Sequence, residues 1–273
     1  MRRVFFVFAL AAANLTALPP SPSIFLSASP RQQASAPAPA APSPAPQPQS
    51  SNALAAVVLD PAHGGADGGA RGSAGVIESD IVLQFAREIR LALEGQGIRT
   101  LLTREGNEDP TMDSRSAIAN GLRGAVFISL HVSSTGPIGT ARTYWYAFPG
   151  DPQSLATPSS SLPVSSPAPQ RGLLPWDQAQ RPFLDSSRRL AELVQIQLAQ
   201  KFNGSSEIPQ PASVLQLRTI AAPAIAIEIS SVAVANAQQL QQMARPLAEA
   251  VARGLQDFRS QPTGASALPA GGR

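Results

Sequence analysis

The 273 residues carry 21 Lys and Arg against 18 Asp and Glu, a formal charge of +3 that does not by itself point to a nucleic-acid partner. No cysteine is present, which excludes a disulfide framework, a thiolate metal site, a cysteine nucleophile and a lipoprotein anchor. The 27 prolines cluster where large apolar side chains are scarce, so the expectation is one sizeable folded domain carried with linkers.

The basic Met1-Arg2-Arg3 precedes an almost uninterrupted apolar run, Val4 to Ala13, too short to span a bilayer comfortably. Residues 1–28 are therefore expected to be a signal peptide or an uncleaved N-terminal anchor, with Ser27-Ala28-Ser29 as candidate cleavage region. Export to the periplasm or cell envelope follows, with membrane contact only through an uncleaved N-terminus. Residues 29–53, rich in Ala, Pro, Ser and Gln, read as a disordered linker. A similar composition marks residues 149–171 as a flexible insert and 259–273 as a disordered tail, which leaves 54–258 as the globular part.

Within it, Leu54 to Leu59 is a short apolar run ending at Asp60-Pro61, the pattern of a buried strand breaking into a loop. Ile81, Val82, Phe85, Ile89, Ala92 and Leu93 recur at helical spacing until Gly95 and Gly97. Ile98–Leu102 reads as a strand, Met112–Leu122 as a helix and Ala125–Leu130 as a third buried strand. A strand over Thr143–Phe148, a helix over Asp185–Lys201, strands at Val214–Leu217 and Ala224–Ile229, and a closing helix over Ala237–Phe258 complete the pattern. Alternating strands and helices predict a single α/β domain, a mostly parallel twisted sheet with helices on both faces.

Only two histidines occur, His63 and His131, each at or just past the carboxyl end of a predicted strand, where parallel sheets carry their sites. Either alone reads as structural; the pair at one sheet edge reads equally as a metal pair. With no thiolate available, a carboxylate must complete a zinc site, and Asp60, Asp67, Glu78 and Glu228 are the candidates. Asp60 and Asp67 fit better as groups that order the glycine-rich loop or fix a ligand's other ring nitrogen. Glu78 alternatively suits a helix start and Glu228 a solvated strand end, although the apolar run before Glu228 makes an unpaired carboxylate costly there. Gly64, Gly65, Gly68, Gly69 and Gly72 lack the lysine and hydroxyl of a nucleotide loop.

Val58-Leu59-Asp60-Pro61-Ala62-His63-Gly64-Gly65-Ala66-Asp67-Gly68-Gly69-Ala70 resembles the opening motif of the zinc-dependent N-acetylmuramoyl-L-alanine amidases of the type 3 group. Glu78 with Asp80 and Leu83 is similar to their acidic ligand motif, and Leu102-Thr103-Arg104, Arg115 and Ala119-Asn120 resemble the following strand and helix. Phe127-Ile128-Ser129-Leu130-His131 resembles the second-histidine strand, and Pro223 to Glu228 the strand of the catalytic glutamate. Ala62, Ser79, Ser133 and Ile229-Ser230-Ser231 depart from the usual residues but remove no ligand.

The resemblance implies that His63, Glu78 and His131 ligate Zn2+ and that Glu228 acts catalytically on the water. It implies hydrolysis of the amide between N-acetylmuramic acid and L-alanine in peptidoglycan; the further expectations are a monomer, room for a protein activator, and no nucleic-acid partner. Two other readings are a catalytically weak wall-binding scaffold and a zinc peptidase acting on other amides. The long connection from Pro149 to Asp185 reads either as a segment that covers part of the cleft, pinned by Leu173, Leu174, Trp176 and Phe183, or equally as a solvated loop of no consequence.

Overall fold

A computed structural model describes residues 54–150 and 174–260; residues 1–53, most of the 149–171 insert, and 261–273 lie outside the described residues. Six strands form one sheet: β1 (Ala56–Pro61), β2 (Thr100–Leu102), β3 (Ala125–Ser133), β4 (Thr140–Tyr146), β5 (Gln210–Ala212) and β6 (Ala224–Ser230). Their order is β2-β1-β3-β6-β4-β5, with the first four parallel. β4 runs antiparallel to β6, and β5 pairs parallel to β4 at the edge. The expected mostly parallel α/β domain is what the chain forms.

Period-two alternation divides the apolar strand residues between two cores. Val57 and Leu59 of β1, Ile128 of β3 and Ile227 of β6 face the long helices α1 (Glu78–Glu94), α3 (Leu184–Lys201) and α6 (Ala244–Ser260). Val58, Phe127, Ala224 and Ala226 face the other way, toward the shorter α2 (Met112–Asn120) and α4 (Leu215–Arg218). Fully buried side chains such as Leu59, Phe127 and Ile225 each contribute about 1.5–3 kcal/mol by leaving water.

Three expected elements differ. Val214–Leu217 is not a strand: Leu215–Arg218 makes a single helical turn that buries Leu217, and the edge strand lies earlier, at Gln210–Ala212. The closing helix is two helices, α5 (Ala237–Gln241) and α6. Pro246 has no N–H to donate four residues back, so it fits the first turn of a new helix and not the middle of a continuous one. That helix runs to Ser260, just past the expected start of the tail. β4 starts at Thr140 and ends before Phe148, whose ring stacks edge-on against Tyr146.

Candidate active site

The loop after β1 turns back on itself so that the N-terminus of α1 meets it. Glu78 and Ser79 donate their backbone N–H groups to Ala70 and Gly68, which satisfies two of the donors that a helix start leaves without partners. Glu78 at that start is 4% exposed. Two buried arginines hold the loop from below. Arg104 donates to the carbonyls of Pro61, Ala62, Ser79 and Gly106, and Arg115 donates to Asp60 and to the carbonyls of Pro61 and His63. Held in this way, His63 keeps a left-handed backbone, φ +63°, a conformation that few non-glycine residues adopt.

Gly69 lies against the site. Its φ is +67°, and a Cβ there would sit 2.5 Å from Glu78 Oε2 and 2.6 Å from His63 Cδ2. Only glycine permits that approach.

His63, Glu78 and His131 each bring a ligand atom to within 4.8 Å of the others, from the β1 loop, the α1 start and β3. Asp60 and Asp67 stand outside this triangle. Asp60 accepts from Thr103 Oγ1 at 2.6 Å, Arg115 Nη1 at 2.8 Å and Ser129 Oγ at 2.9 Å, all buried. Ser129 has one proton, and it goes to Asp60. Its oxygen can then accept from His131 Nε2, 3.3 Å away; in the neutral tautomer that donates there, Nδ1 presents a lone pair 3.2 Å from Glu78 Oε1. His63 Nδ1 likewise lies 2.7 Å from Asp67 Oδ2, and in the neutral tautomer that donates there Nε2 presents a lone pair 3.2 Å from Glu78 Oε2.

With both rings neutral in these tautomers, two imidazole lone pairs and a carboxylate converge, an arrangement that needs positive charge among them, as a cation or as added protons. The donor set therefore fits a divalent ion, and two imidazoles with one carboxylate match zinc's preference while leaving a position open. The same field draws protons. The hydrogen bond to Glu78, helped by Asp67 and opposed by burial, raises His63 to about 9. Burial works to raise the Glu78 carboxyl, but hydrogen bonds from His131 and His63 and from the N–H groups of Ala70 and Val132 hold it well below the usual carboxylate range.

The triangle opens on a cavity of about 560 Å³ over the carboxyl end of the sheet face that carries Phe127 and Ser129. Strand register lays out its floor. His131, Glu228 and Arg142 are successive Cα partners across β3, β6 and β4, and Ser133, Ser230 and Thr140 form the next row. Tyr144, two residues from Arg142 on the same face, donates its hydroxyl to Glu228 Oε1 at 3.2 Å. Burial pushes the Tyr144 hydroxyl up, the Glu228 charge adds to this, and Arg142 opposes it.

Ser129, Arg142 and Tyr144 were not among the sequence candidates. The signal was present in two-residue spacing, Ser129 to His131 and Arg142 to Tyr144, but it acquires meaning only once the strands are placed side by side. Arg115 and Asn120 are structural, Asn120 bonding the carbonyl of Thr219 and the N–H of Ala221. Of the expected cleft anchors, Leu173 lies outside the described residues; Leu174 and Trp176 are exposed, Phe183 is partly buried, and none of these three lines the cavity. Gln180 docks the segment instead, donating to the carbonyls of Ile220 and Ala222.

Residues 57–257 match the family described as N-acetylmuramoyl-L-alanine amidase. A sporulation-specific N-acetylmuramoyl-L-alanine amidase of Bacillus subtilis is 36% identical over 98 residues, 35% of this chain and 38% of that protein. The chain thus aligns with about two-fifths of that relative's length. The fold is similar to that of the amidase AmiC2 of Nostoc punctiforme, with a TM-score of 0.56 and 24% identity over 77% of this chain and 98% of the other. It is also similar to the CwlD amidase of Clostridioides difficile, solved in complex with the GerS lipoprotein, with a TM-score of 0.55 and 20% identity over 75% and 98% of the two chains.

Proposed function

The chain belongs to the N-acetylmuramoyl-L-alanine amidase family, and from that premise we propose that it hydrolyses the amide between N-acetylmuramic acid and L-alanine in peptidoglycan, with Zn2+ held by His63, Glu78 and His131. The observation that carries the reading is the convergence of two imidazole nitrogens on one buried carboxylate, beside a second carboxylate on the neighbouring strand.

Zinc in such a site supplies Lewis acidity, polarising an amide carbonyl and lowering the pKa of a water to about 7. The chain's own residues do the rest. Tyr144 fixes Glu228 through Oε1, and Oε2 has no hydrogen-bond partner among the described residues. Glu228 takes the proton of the attacking water at Oε2 and returns it to the leaving nitrogen, without which an amide does not part. Asp67 and the Asp60–Ser129 pair would favour, for each imidazole, the neutral tautomer able to hold the ion.

The substrate lies in the wall, so the protein acts in the periplasm or envelope, and residues 1–28 are its export signal or anchor. The domain comprises residues 54–258, with 29–53 as tether and 149–171 as insert. A protein activator belongs to the same proposal, since the CwlD relative was solved with a lipoprotein bound.

The test is digestion of purified sacculi by the zinc-loaded protein. Free stem peptides with an L-alanine amino terminus are expected. Binding to sacculi without release would indicate a wall-binding scaffold, and cleavage of unrelated peptides a general zinc peptidase; either outcome overturns the reading.

A further inference from the structure

We infer that Arg142 forms a carboxylate-binding subsite of the cavity and recognises the free α-carboxylate of the second stem-peptide residue. The inference rests on the amidase reading above and assigns the specificity of the same site.

Arg142 is the lone Lys or Arg among the residues that line the cavity. It is half-buried, and no carboxylate of the described residues forms an ion pair with it. The other polar lining from Ser133, Thr140, Ser205 and Ser230 is uncharged and suits hydroxyl and amide groups. A guanidinium in such surroundings presents a rigid fork of donors that matches a carboxylate with two parallel hydrogen bonds.

Register gives the reach and the direction. Glu228 stands between His131 and Arg142 in one row of the sheet, so Arg142 is two strand spacings, roughly 10 Å, from the ligand histidine. A substrate whose carbonyl lies at the metal ligands and whose leaving nitrogen meets Glu228 must send the peptide on toward β4. An extended peptide advances about 3.3–3.6 Å per residue, so the second or third residue after the cut bond arrives over Arg142. In a stem peptide the second residue is a γ-linked D-glutamate. Its α-carboxyl is free in some walls and amidated in others, so the charge that Arg142 would meet varies with the wall.

The experiment compares two synthetic N-acetylmuramoyl peptides that differ only at the second residue, D-glutamate with a free α-carboxylate or its α-amide. The full chain is used, with zinc content matched. The wild type is expected to favour the free carboxylate by about tenfold in kcat/KM, mainly through KM. Arg142→Ala should lose the preference, and Arg142→Lys should retain part of it. Arg142→Met, which keeps the bulk of the stem, replaces the alanine variant if that one fails to fold by circular dichroism. Equal rates on the two substrates in the wild type, or an unchanged preference in Arg142→Ala or Arg142→Met, overturn the subsite and leave the amidase reading standing. Hydrolysis of neither substrate by the wild type overturns both.

Discussion

His131 and Glu228 are direct Cα partners on neighbouring parallel strands, with both side chains on the cavity face of the sheet. Adjacent strands lie about 4.8 Å apart, so a ligand and a base are brought to working distance by sheet register alone, with no loop needed to place either.

Glu228→Gln tests the base. The substitution keeps the shape and lets the amide oxygen still accept from Tyr144, but it cannot carry a proton between water and nitrogen. Zinc content should be unchanged while kcat falls by roughly 10²–10⁴, as general acid–base catalysis predicts. Tyr144→Phe should cost far less, about tenfold in kcat, because the carboxylate persists and only its orientation loosens. A Glu228→Gln enzyme of near-normal turnover would put the base elsewhere.

His131→Ala tests the ligand set and the fold separately. The two cores are built from other residues, so circular dichroism should be unchanged. Zinc at a hundred times its Kd should stabilise the wild type by about 2.7 kcal/mol, a Tm rise of roughly 5–10 °C for a domain of this size. The variant should show no such rise, and a chelator should lower the Tm of the zinc-loaded wild type alone. A zinc-dependent shift of equal size in both would remove His131 from the site.

Ser129→Ala tests the tautomer argument. The serine is wholly buried, donates to Asp60 and lies 3.3 Å from His131 Nε2, where its oxygen can accept. Its loss frees the imidazole to place a proton on Nδ1, the nitrogen that faces Glu78. Zinc Kd from chelator competition should rise about 10–100-fold, the usual cost of losing a partner behind a ligand. An unchanged Kd would mean that packing alone orients the ring.

The strands that carry the site were legible because β1, β3 and β6 are buried on both faces over most of their length and open on apolar runs of three or more residues. Two histidines in the whole chain made the metal candidates conspicuous. β5 was not legible: it is three residues long, contains Pro211 and is only partly buried, so no apolar run marks it. Val214–Leu217 misled because a four-residue stretch with three apolar side chains fits one helical turn as well as a short strand. Arg142 and Tyr144 escaped notice for a different reason. Their place beside Glu228 follows from the antiparallel pairing of β4 with β6, a long-range choice that no single strand's pattern reveals.

Gly69→Ala separates crowding at the site from backbone strain. Gly69 and Gly75 both have left-handed backbones, φ +67° and +75°, so alanine at either meets a similar conformational cost of roughly 1–2 kcal/mol. Their surroundings differ. At Gly75 nothing lies within 4 Å of an added Cβ, whereas at Gly69 the methyl would press on Glu78 Oε2 and the His63 ring. Neither neighbour can yield without losing a bond, since Glu78 Oε2 accepts from the Ala70 N–H at 2.8 Å and His63 is tied to Asp67. Both variants should therefore lose a few degrees of Tm without zinc, and Gly75→Ala should bind zinc like the wild type. Gly69→Ala should bind it at least about tenfold more weakly, because the loss of two placed ligands is added to the strain. Equal zinc affinity in the two variants would show that the loop relaxes around the methyl and that the glycine serves only the turn.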